Sequence, residues 1–450
     1  MVGQVDSGSI WQKIKVEEKM NKPLRWVLAS MVTIALLPEL GWADDLPGTS
    51  QTSVATDTGL QELLQWADAH NPDIAVMNYE IEAAEGRIVP AGALPDPVLR
   101  VELMDFAGPA SPNGFNVLPN RVGGTKYTVM QNFPLWGKRD MRTEIATAGV
   151  SEAKSRRIAL LAEIHSKIKI AYAQLYQPFN LKKLNEEILA LLQDIEAITR
   201  VRYSNGLVPQ QDVIRAQVEK TTLRSEIITL EAEQKQARAR LNAMAGRPQH
   251  DMVAEPRMLR RLPPEKFDAA MLPEKAQRNN PLLRTLDAQI TAAEANQRLV
   301  NKNRYPDVTL GIAPTQRGGG IDGWEAMVEV NIPIRLDTRR AQELEASAML
   351  GAAKERQQSL ANNVMGELQE TIAAYEAARE QELLVTNTLL PQAELTFRSA
   401  LAGYENSKVD FATLLDAQRA IRLARQDKIR AQVEQEIRLA EIERMIGEEL

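Results

Sequence analysis

Three histidines and no cysteine set the limits of the metal and nucleophile chemistry this chain could do. His70, His165 and His250 lie far apart, and none sits in a ligand spacing such as His-Glu-x-x-His, where two rings share one helix face. Without cysteine there is no disulfide, no thiolate nucleophile and no Cys-ligated zinc. His165, in a helical stretch, reads as packed or exposed rather than ligating. The 15 methionines are scattered; no Met-x-x-Met pair suggests a copper relay, and Met104, Met130 and Met327 fall in strand-like runs. Gly318-Gly319-Gly320 lacks the following Lys-Ser/Thr and the strand-to-helix setting of a phosphate loop, so it reads as a loop tip. Acidic residues are abundant but alternate with Lys and Arg, as solvated helix faces do. No catalytic constellation emerges, so the expectation is a protein that is not an enzyme and carries no cofactor and no resident metal.

The elements that would carry any site are long and thin. Only 5% of the 450 residues are aromatic while 25% are charged, a balance that favours long helices and coiled coils over a compact aromatic core. The formal charge of −6 gives no footprint for nucleic acid, and the basic run Arg257–Arg261 reads as solvated surface. Near the start, Met20-Asn-Lys-Pro-Leu-Arg25 precedes an apolar run from Trp26 to Leu37, then Gly41-Trp42-Ala43. A basic region, a short apolar core and a small-residue site make a secretory signal with cleavage after Ala43. An N-terminal anchor is the alternative, although the run falls short of the roughly 20 apolar residues that span a bilayer. Residues 1–43 are thus extension and signal, and 44–57 a linker. No later segment is apolar enough for a transmembrane helix.

The chain is written twice. Asn71-Pro72 with Ile81-Glu-Ala-Ala-Glu85 returns as Asn280-Pro281 with Ile290-Thr-Ala-Ala-Glu294. Pro97 is echoed by Pro306, Phe133-Pro134 by Ile332-Pro333, and Tyr203-Ser-Asn-Gly-Leu-Val208 by Tyr404-Glu-Asn-Ser-Lys-Val409. Ala216-Gln217 and Ala417-Gln418 follow at equal spacing. Two halves, 58–246 and 274–450, are joined by a Pro- and Arg-rich linker, 247–273.

Each half has one plan. Residues 58–92 read as a helix interrupted at Asn71-Pro72, because proline lacks the amide a helix interior needs. Two strand-like runs follow, Val98–Ala107 and Lys126–Pro134, matched by runs holding Val308, Leu310, Ile312 and Ala326, Val328, Val330, Ile332. Their period-two alternation suits strands with one oily and one wet face. The stretches 107–124 and 314–323 read as hairpin loops. From Lys138 to Tyr203 only Gly149 and Pro178 punctuate a helix of about 100 Å. From Val213 a heptad seam runs through Val213/Ala216, Lys220/Leu223, Ile227/Leu230, Gln234/Ala237 and Leu241/Met244, implying antiparallel pairing. Asn205-Gly206 and Asn406-Ser407 are turn formers, so each half ends in a helical hairpin.

Four strands cannot close a barrel alone, and open edges are not tolerated in lipid, where each unpaired backbone group costs several kcal/mol. Either sister copies supply the missing neighbours, or the strands form a small soluble sheet buried on one face. Strand pattern alone leaves both open.

From residue 58 to the end the chain resembles the TolC family of outer-membrane efflux proteins. The resemblance rests on Leu389-Leu-Pro-Gln-Ala393 with Ala402-Gly-Tyr-Glu-Asn-Ser-Lys-Val-Asp-Phe-Ala-Thr-Leu-Leu-Asp-Ala-Gln418, on Tyr203–Gln217, and on Gln131-Asn-Phe-Pro-Leu-Trp-Gly-Lys-Arg139. The last resembles the heavy-metal branch. The resemblance implies a mostly α fold with a β-barrel portion: a long antiparallel α-helical coiled-coil barrel plus four transmembrane β-strands per chain, completing a 12-stranded barrel in a homotrimer. It further implies an exit duct in the outer membrane of a Gram-negative bacterium with a periplasmic helical extension, served by a periplasmic adaptor and an inner-membrane pump of the resistance–nodulation–division (RND) type. Metal ions or small toxic compounds would be the cargo. Carried over residue by residue, Asn205, Gly206 and Leu207 with Asn406, Ser407 and Lys408 are the adaptor-docking tips. Asp212 and Tyr404 match a closing constriction, and Asp416 an acid facing the pore. Ser407 departs from the family's usual glycine, and the lipidated cysteine of many relatives is missing. The competing readings are a periplasmic adaptor, which would show one hairpin between lipoyl-like halves, and a soluble coiled-coil scaffold, which would need neither signal nor amphipathic strands.

Overall fold

The computed structural model describes residues 59–107, 115–263 and 267–450. The signal segment and both readings of residues 1–57 lie outside the described residues.

An asparagine organises the start of each half. Helices α1 (Leu60–His70) and α2 (Pro72–Gly86) meet at Asn71. Its backbone N–H closes α1 on Ala67, and its Oδ1 accepts from the Asp73 amide at 2.9 Å. Pro72 takes the first helical position, where no donor is missed. The Asn71 amide nitrogen then donates to the carbonyl of Met244, 173 residues on, at 3.0 Å. A short α3 (Ile88–Gly92) follows. In the second half α6 (Leu272–Asn279) and α7 (Pro281–Lys302) meet at Asn280 in the same way: it caps Leu282 and Leu283 and donates to Met445 at 2.8 Å.

Strands β1 (Val98–Met104), β2 (Gly124–Phe133), β3 (Val308–Arg317) and β4 (Gly320–Val330) form one antiparallel sheet in the order β1-β2-β3-β4. One half supplies β1 and β2, the other β3 and β4. The first strand stops short of the expected Ala107 because Asp105 takes a left-handed φ of 50°. The expected loop 314–323 is corrected more deeply. β3 continues to Arg317 and β4 begins at Gly320, leaving a two-residue turn. Pro314 is tolerated beside a register shift at Thr315/Gln316, the irregular setting in which a strand admits proline. Gly318 supplies the positive φ (58°) of the tight turn.

Helix α4 (Lys138–Ser204) runs 67 residues without a break, about 100 Å, and pairs with α5 (Gln210–Ala245). In the second half α8 (Leu336–Leu384) passes through a π-helical segment, Val385–Leu389, into α9 (Leu390–Glu405), which turns back as α10 (Phe411–Ile446). Of the heptad seam, Val213, Ala216, Leu223, Leu230, Gln234 and Leu241 are buried. Among the described residues there are three apolar cores. One joins both hairpins near their turns through Leu192, Leu223, Phe397, Tyr404, Phe411 and Leu414. The others sit lower, one around Leu63, Ile168, Leu175 and Leu241, the other around Leu272, Leu368, Tyr375 and Ile442.

Candidate functional site

The sheet has two unlike faces. Leu99, Val101, Val129, Leu310, Ile312, Trp324 and Val328 alternate onto one side, and all are exposed, with Val328 68% and Trp324 69% accessible. Registry puts them side by side: Leu99 opposite Val129, Val129 opposite Ile312, Leu310 opposite Val328. The other side carries Arg100, Glu102, Lys126, Thr128, Thr315, Glu325 and Glu329. There Lys126 Nζ reaches over β3 to Glu325 at 2.5 Å, and Glu102 sits opposite Lys126. Nothing in the described chain covers the apolar face, and β1 and β4 each have one unpaired edge within the chain. A soluble sheet would bury that face; this one offers it to an apolar surrounding, the alternation of a barrel wall in lipid. Below the strands Trp136, at φ 66°, donates its indole N–H to the Pro306 carbonyl at 2.9 Å and stacks on Tyr305.

At the far end of the helices the two turns share a backbone design. Gly206 (φ 71°) and Ser407 (φ 56°) occupy the left-handed position. Leu207 N–H bonds to the Arg202 carbonyl (2.9 Å), and Lys408 N–H to that of Gly403 (2.8 Å), the six-to-one closure of a Schellman end. Asn205, Gly206, Leu207, Asn406, Ser407 and Lys408 are all exposed. Asp410 then starts α10, accepting from the Thr413 amide and hydroxyl, which holds its carboxyl below the usual range.

The three residues expected to line a constriction separate. Tyr404 is 2% exposed, stacked edge-on against Phe411 in the core the hairpins share, with its hydroxyl 3.1 Å from that of Thr199. An amphipathic ring on this face of α9 is drawn into the apolar seam. Asp212 is also buried; burial pushes its carboxyl above the usual range, opposed by Arg215 and reinforced by Asp410. Asp416 alone is open, its side chain 76% exposed and 3.8 Å from Arg419. It lines a groove of about 630 Å³ with Ile214, Val218, Leu415 and Arg419.

What spacing could not reveal is how the hairpins hold each other. Arg202, near the first turn, donates to the carbonyls of Tyr404 (2.7 Å) and Glu405 (2.8 Å) and to the Ser407 hydroxyl (2.6 Å), and lies over the Tyr404 ring. Deeper, Glu219 accepts from Arg419 at 2.7 Å and Glu226 from Arg422, while within the first hairpin buried Glu196 accepts from Lys220. Lower still, Lys169 (α4) bonds Glu443 at 2.9 Å and Glu449 at 2.6 Å, while Arg260 of the linker clasps Glu436 and Glu443 at 2.9 Å. Glu436 and Glu443 are 2% and 6% exposed. The carboxylates of α10 are therefore not all on a solvated face, and the basic run is not all surface: Arg257 and Arg261 are exposed, Arg260 is not. Burial pushes Glu436 up to about 6 despite Arg260. No single residue type flags such pairing, since each partner lies on a different element.

Among the described residues no group of three or more His, Asp or Glu side chains is placed to hold a metal ion, and no helix is long and apolar enough to cross a membrane.

The comparisons agree with this geometry. The model of the outer membrane efflux protein family matches residues 63–247 and 272–448. The cobalt-zinc-cadmium resistance protein CzcC of Cupriavidus metallidurans is 25% identical over 400 residues, covering 87% of this chain and 91% of its own. The nickel-cobalt-cadmium resistance protein NccC of Alcaligenes xylosoxydans xylosoxydans is 24% identical over 317 residues, 70% of each chain. Among solved structures the outer-membrane channel OprN superposes with a TM-score of 0.73 at 20% identity, over 86% of this chain and 89% of its own. With an uncovered apolar strand band at one end and paired helical hairpins at the other, this chain belongs to the outer membrane efflux protein family and is the outer-membrane exit duct of a tripartite efflux system.

Proposed function

We propose that three copies of the chain assemble around one axis, β1 of each pairing with β4 of the next, into a twelve-stranded barrel continued by a helical tube. The observation that carries this is the sheet: an apolar face with no cover and two edges with no neighbour. In lipid both defects cost too much to leave, and identical copies repair both at once. The exposed turns at Asn205–Leu207 and Asn406–Lys408 then become six tips at the tube's periplasmic end, where an adaptor protein docks and connects to an inner-membrane pump of the RND type. The cargo is divalent metal ions, a reading supported by what CzcC and NccC are named for. The chain conducts passively.

Asp416, open in the monomer, becomes a ring of three carboxylates that attracts cations. Asp212 and Tyr404 act one layer behind, by packing the hairpins that carry the ring. The deciding test is outer-membrane fractionation followed by electrophoresis with and without heating. A heat-sensitive trimer in the outer membrane supports the assembly; a soluble periplasmic monomer ends it. For the ring, Asp416→Ala lowers cation preference in planar bilayers, and unchanged reversal potentials would remove Asp416 from the proposal.

A further inference from the structure

The internal repeat measures what each helix is missing. Lys154 of α4 pairs with Glu85 of α2 at 2.8 Å, and Lys354 of α8 pairs with Glu294 of α7 at 3.1 Å. With Glu85 set on Glu294 and Lys154 on Lys354, each position along these helices acquires a counterpart in the other half. α7 also packs against α4, where Arg298 pairs with Glu144 and the Gln289 amide donates to Glu152 at 2.7 Å. At this level α4 therefore lies between α2 and α7. α8 has α7 on one side and, among the described residues, no helix packed on the other. α2 is short of a neighbour in the same way.

Exposure marks the two open faces. Ala288 and Ala295 of α7 are 8% and 0% accessible, while their counterparts on α2, Tyr79 and Gly86, are exposed, Tyr79 at 72%. Ala148 of α4 is buried and its counterpart on α8, Ala348, is exposed. Each of these helices keeps the neighbour from its own half, so the difference in burial comes from the missing one. The ion pair has no charged counterpart. Arg298 corresponds to Val89 of α3 and Glu144 to Leu344 of α8, two apolar side chains 78% and 72% exposed.

The strands call for the same partner. Within the chain β2 pairs with β3, and the helices adjoining those strands, α4 and α7, pack together. β1 and β4 carry the unpaired edges, and the helices adjoining them are α3, which follows α2, and α8. A second copy whose β4 lies along β1 brings its α8 beside α2 and α3.

We infer that α2 and α3 of one copy pack on α8 of the next in the register α7 takes on α4, with Val89 against Leu344 in place of Arg298 against Glu144. The inference rests on the assembly proposed above and adds the chemistry of its joints: apolar between copies, ionic within a chain. The two joints are not interchangeable. Val89 opposite Glu144, or Arg298 opposite Leu344, forfeits both the ion pair and the apolar contact, a mismatch that selects the right neighbour.

The absence of cysteine allows a direct test. Val89→Cys with Leu344→Cys, treated with a short bismaleimide in outer membranes, should give covalent dimers and trimers on denaturing gels. Val89→Cys with Glu144→Cys should give monomers only. Charge then checks the register. Val89→Arg and Leu344→Glu each weaken three joints at once, so each should lower the fraction of trimer surviving a fixed heating step about tenfold. The double variant rebuilds the intrachain ion pair between copies and should recover most of that fraction. Trimers in which the first cysteine pair does not crosslink, or a double variant no better than either single one, overturn the joint and leave the duct standing. A monomer before any substitution sinks the assembly itself, and the joint with it. Should a charged variant fail to accumulate, the crosslink decides alone.

Discussion

The two halves of this chain keep the same backbone where geometry forces it and differ where a side chain decides. Asn71 and Asn280 cap the same helix and hold the same distant carbonyl, of Met244 and of Met445. Gly246 and Gly447 end the last helix of each half with φ of 71°. Elsewhere equivalent positions diverge. Asn242, which donates to the Asp251 carbonyl of the linker, has Glu443 as its counterpart, gripped by Lys169 and Arg260. Arg202 has Gly403, and Asp416 has Arg215. At the Asn242/Glu443 position the first half is tied to its own linker by neutral bonds, and the second is tied to both the first half and the linker by charge.

The forced positions give the largest effect, and it is unequal. A Cβ at Gly447 would lie 2.6 Å from the Asn279 carbonyl oxygen and 3.3 Å from Pro281, whereas at Gly246 the nearest atom is 3.3 Å away. Both substitutions carry the left-handed strain of ~1–2 kcal/mol, but only Gly447→Ala also has to push backbone apart. Chemical denaturation should show Gly447→Ala losing ~3 kcal/mol or more, about twice the loss of Gly246→Ala. Equal losses would mean that the two junctions are as alike in packing as in sequence.

Arg202 is the next way to break the comparison, because only one half can make its contact. At the equivalent Gly403 an added Cβ would meet Val409 at 2.6 Å, so no reciprocal arginine fits. Arg202→Ala removes three charge-assisted bonds from the second turn, which ties the hairpins by ~2 kcal/mol. Bilayer recordings should show openings at least tenfold more frequent, and chemical denaturation a loss of ~2 kcal/mol. Unaltered gating would leave Glu219–Arg419 and Glu226–Arg422 to close the tube.

Much of this was legible in residue order. The duplication, the helix break at Asn71-Pro72, the hairpin turns and the two-faced strands follow from local backbone chemistry. The period-two pattern could not distinguish a buried soluble sheet from a lipid-facing one, because that depends on what covers Leu99, Ile312 and Val328. Nor could spacing place Tyr404, whose ring turns inward because Phe411 and Thr199 wait on two other helices. The reading of 314–323 as loop failed because Gly and Pro signal a turn without giving its length. The ionic layer was hidden for the same reason as Arg202: its partners are 176–280 residues apart.

The ionic layer of the second half should respond to pH through Glu436. Glu436 binds its proton more tightly in the folded chain, its pKa pushed up to about 6 from the ordinary 4.5 of a glutamate. A raised carboxyl means that the folded state favours the protonated form. Stability is therefore gained as pH falls through about 6 and is fully present below about 4.5, by ~2 kcal/mol for this group. Denaturation at pH 7 and pH 5 should show the gain in the unmodified protein and its loss in Glu436→Gln. A variant with the same pH dependence as the parent would assign the effect elsewhere. Lys235, the counterpart in the first half, is exposed, and Lys235→Gln should leave the pH dependence intact.

The smallest effect separates strain from bonding at the second turn. Ser407 holds φ at 56° where its counterpart is Gly206, and relieving that conformation with Ser407→Gly is worth ~1 kcal/mol. The same change deletes the hydroxyl that accepts from Arg202 at 2.6 Å, a loss of ~1 kcal/mol. Folding stability should thus move by less than ~0.5 kcal/mol, yet the two terms act on different equilibria. Strain relief stabilises the turn whether the hairpins are together or apart, whereas the lost bond weakens only their association. Ser407→Gly should open more often than the parent at nearly equal stability, and in the Arg202→Ala background it should add stability without further change in gating. A Ser407→Gly chain that gates as the parent does would mean that Arg202 holds the second turn through the Tyr404 and Glu405 carbonyls alone.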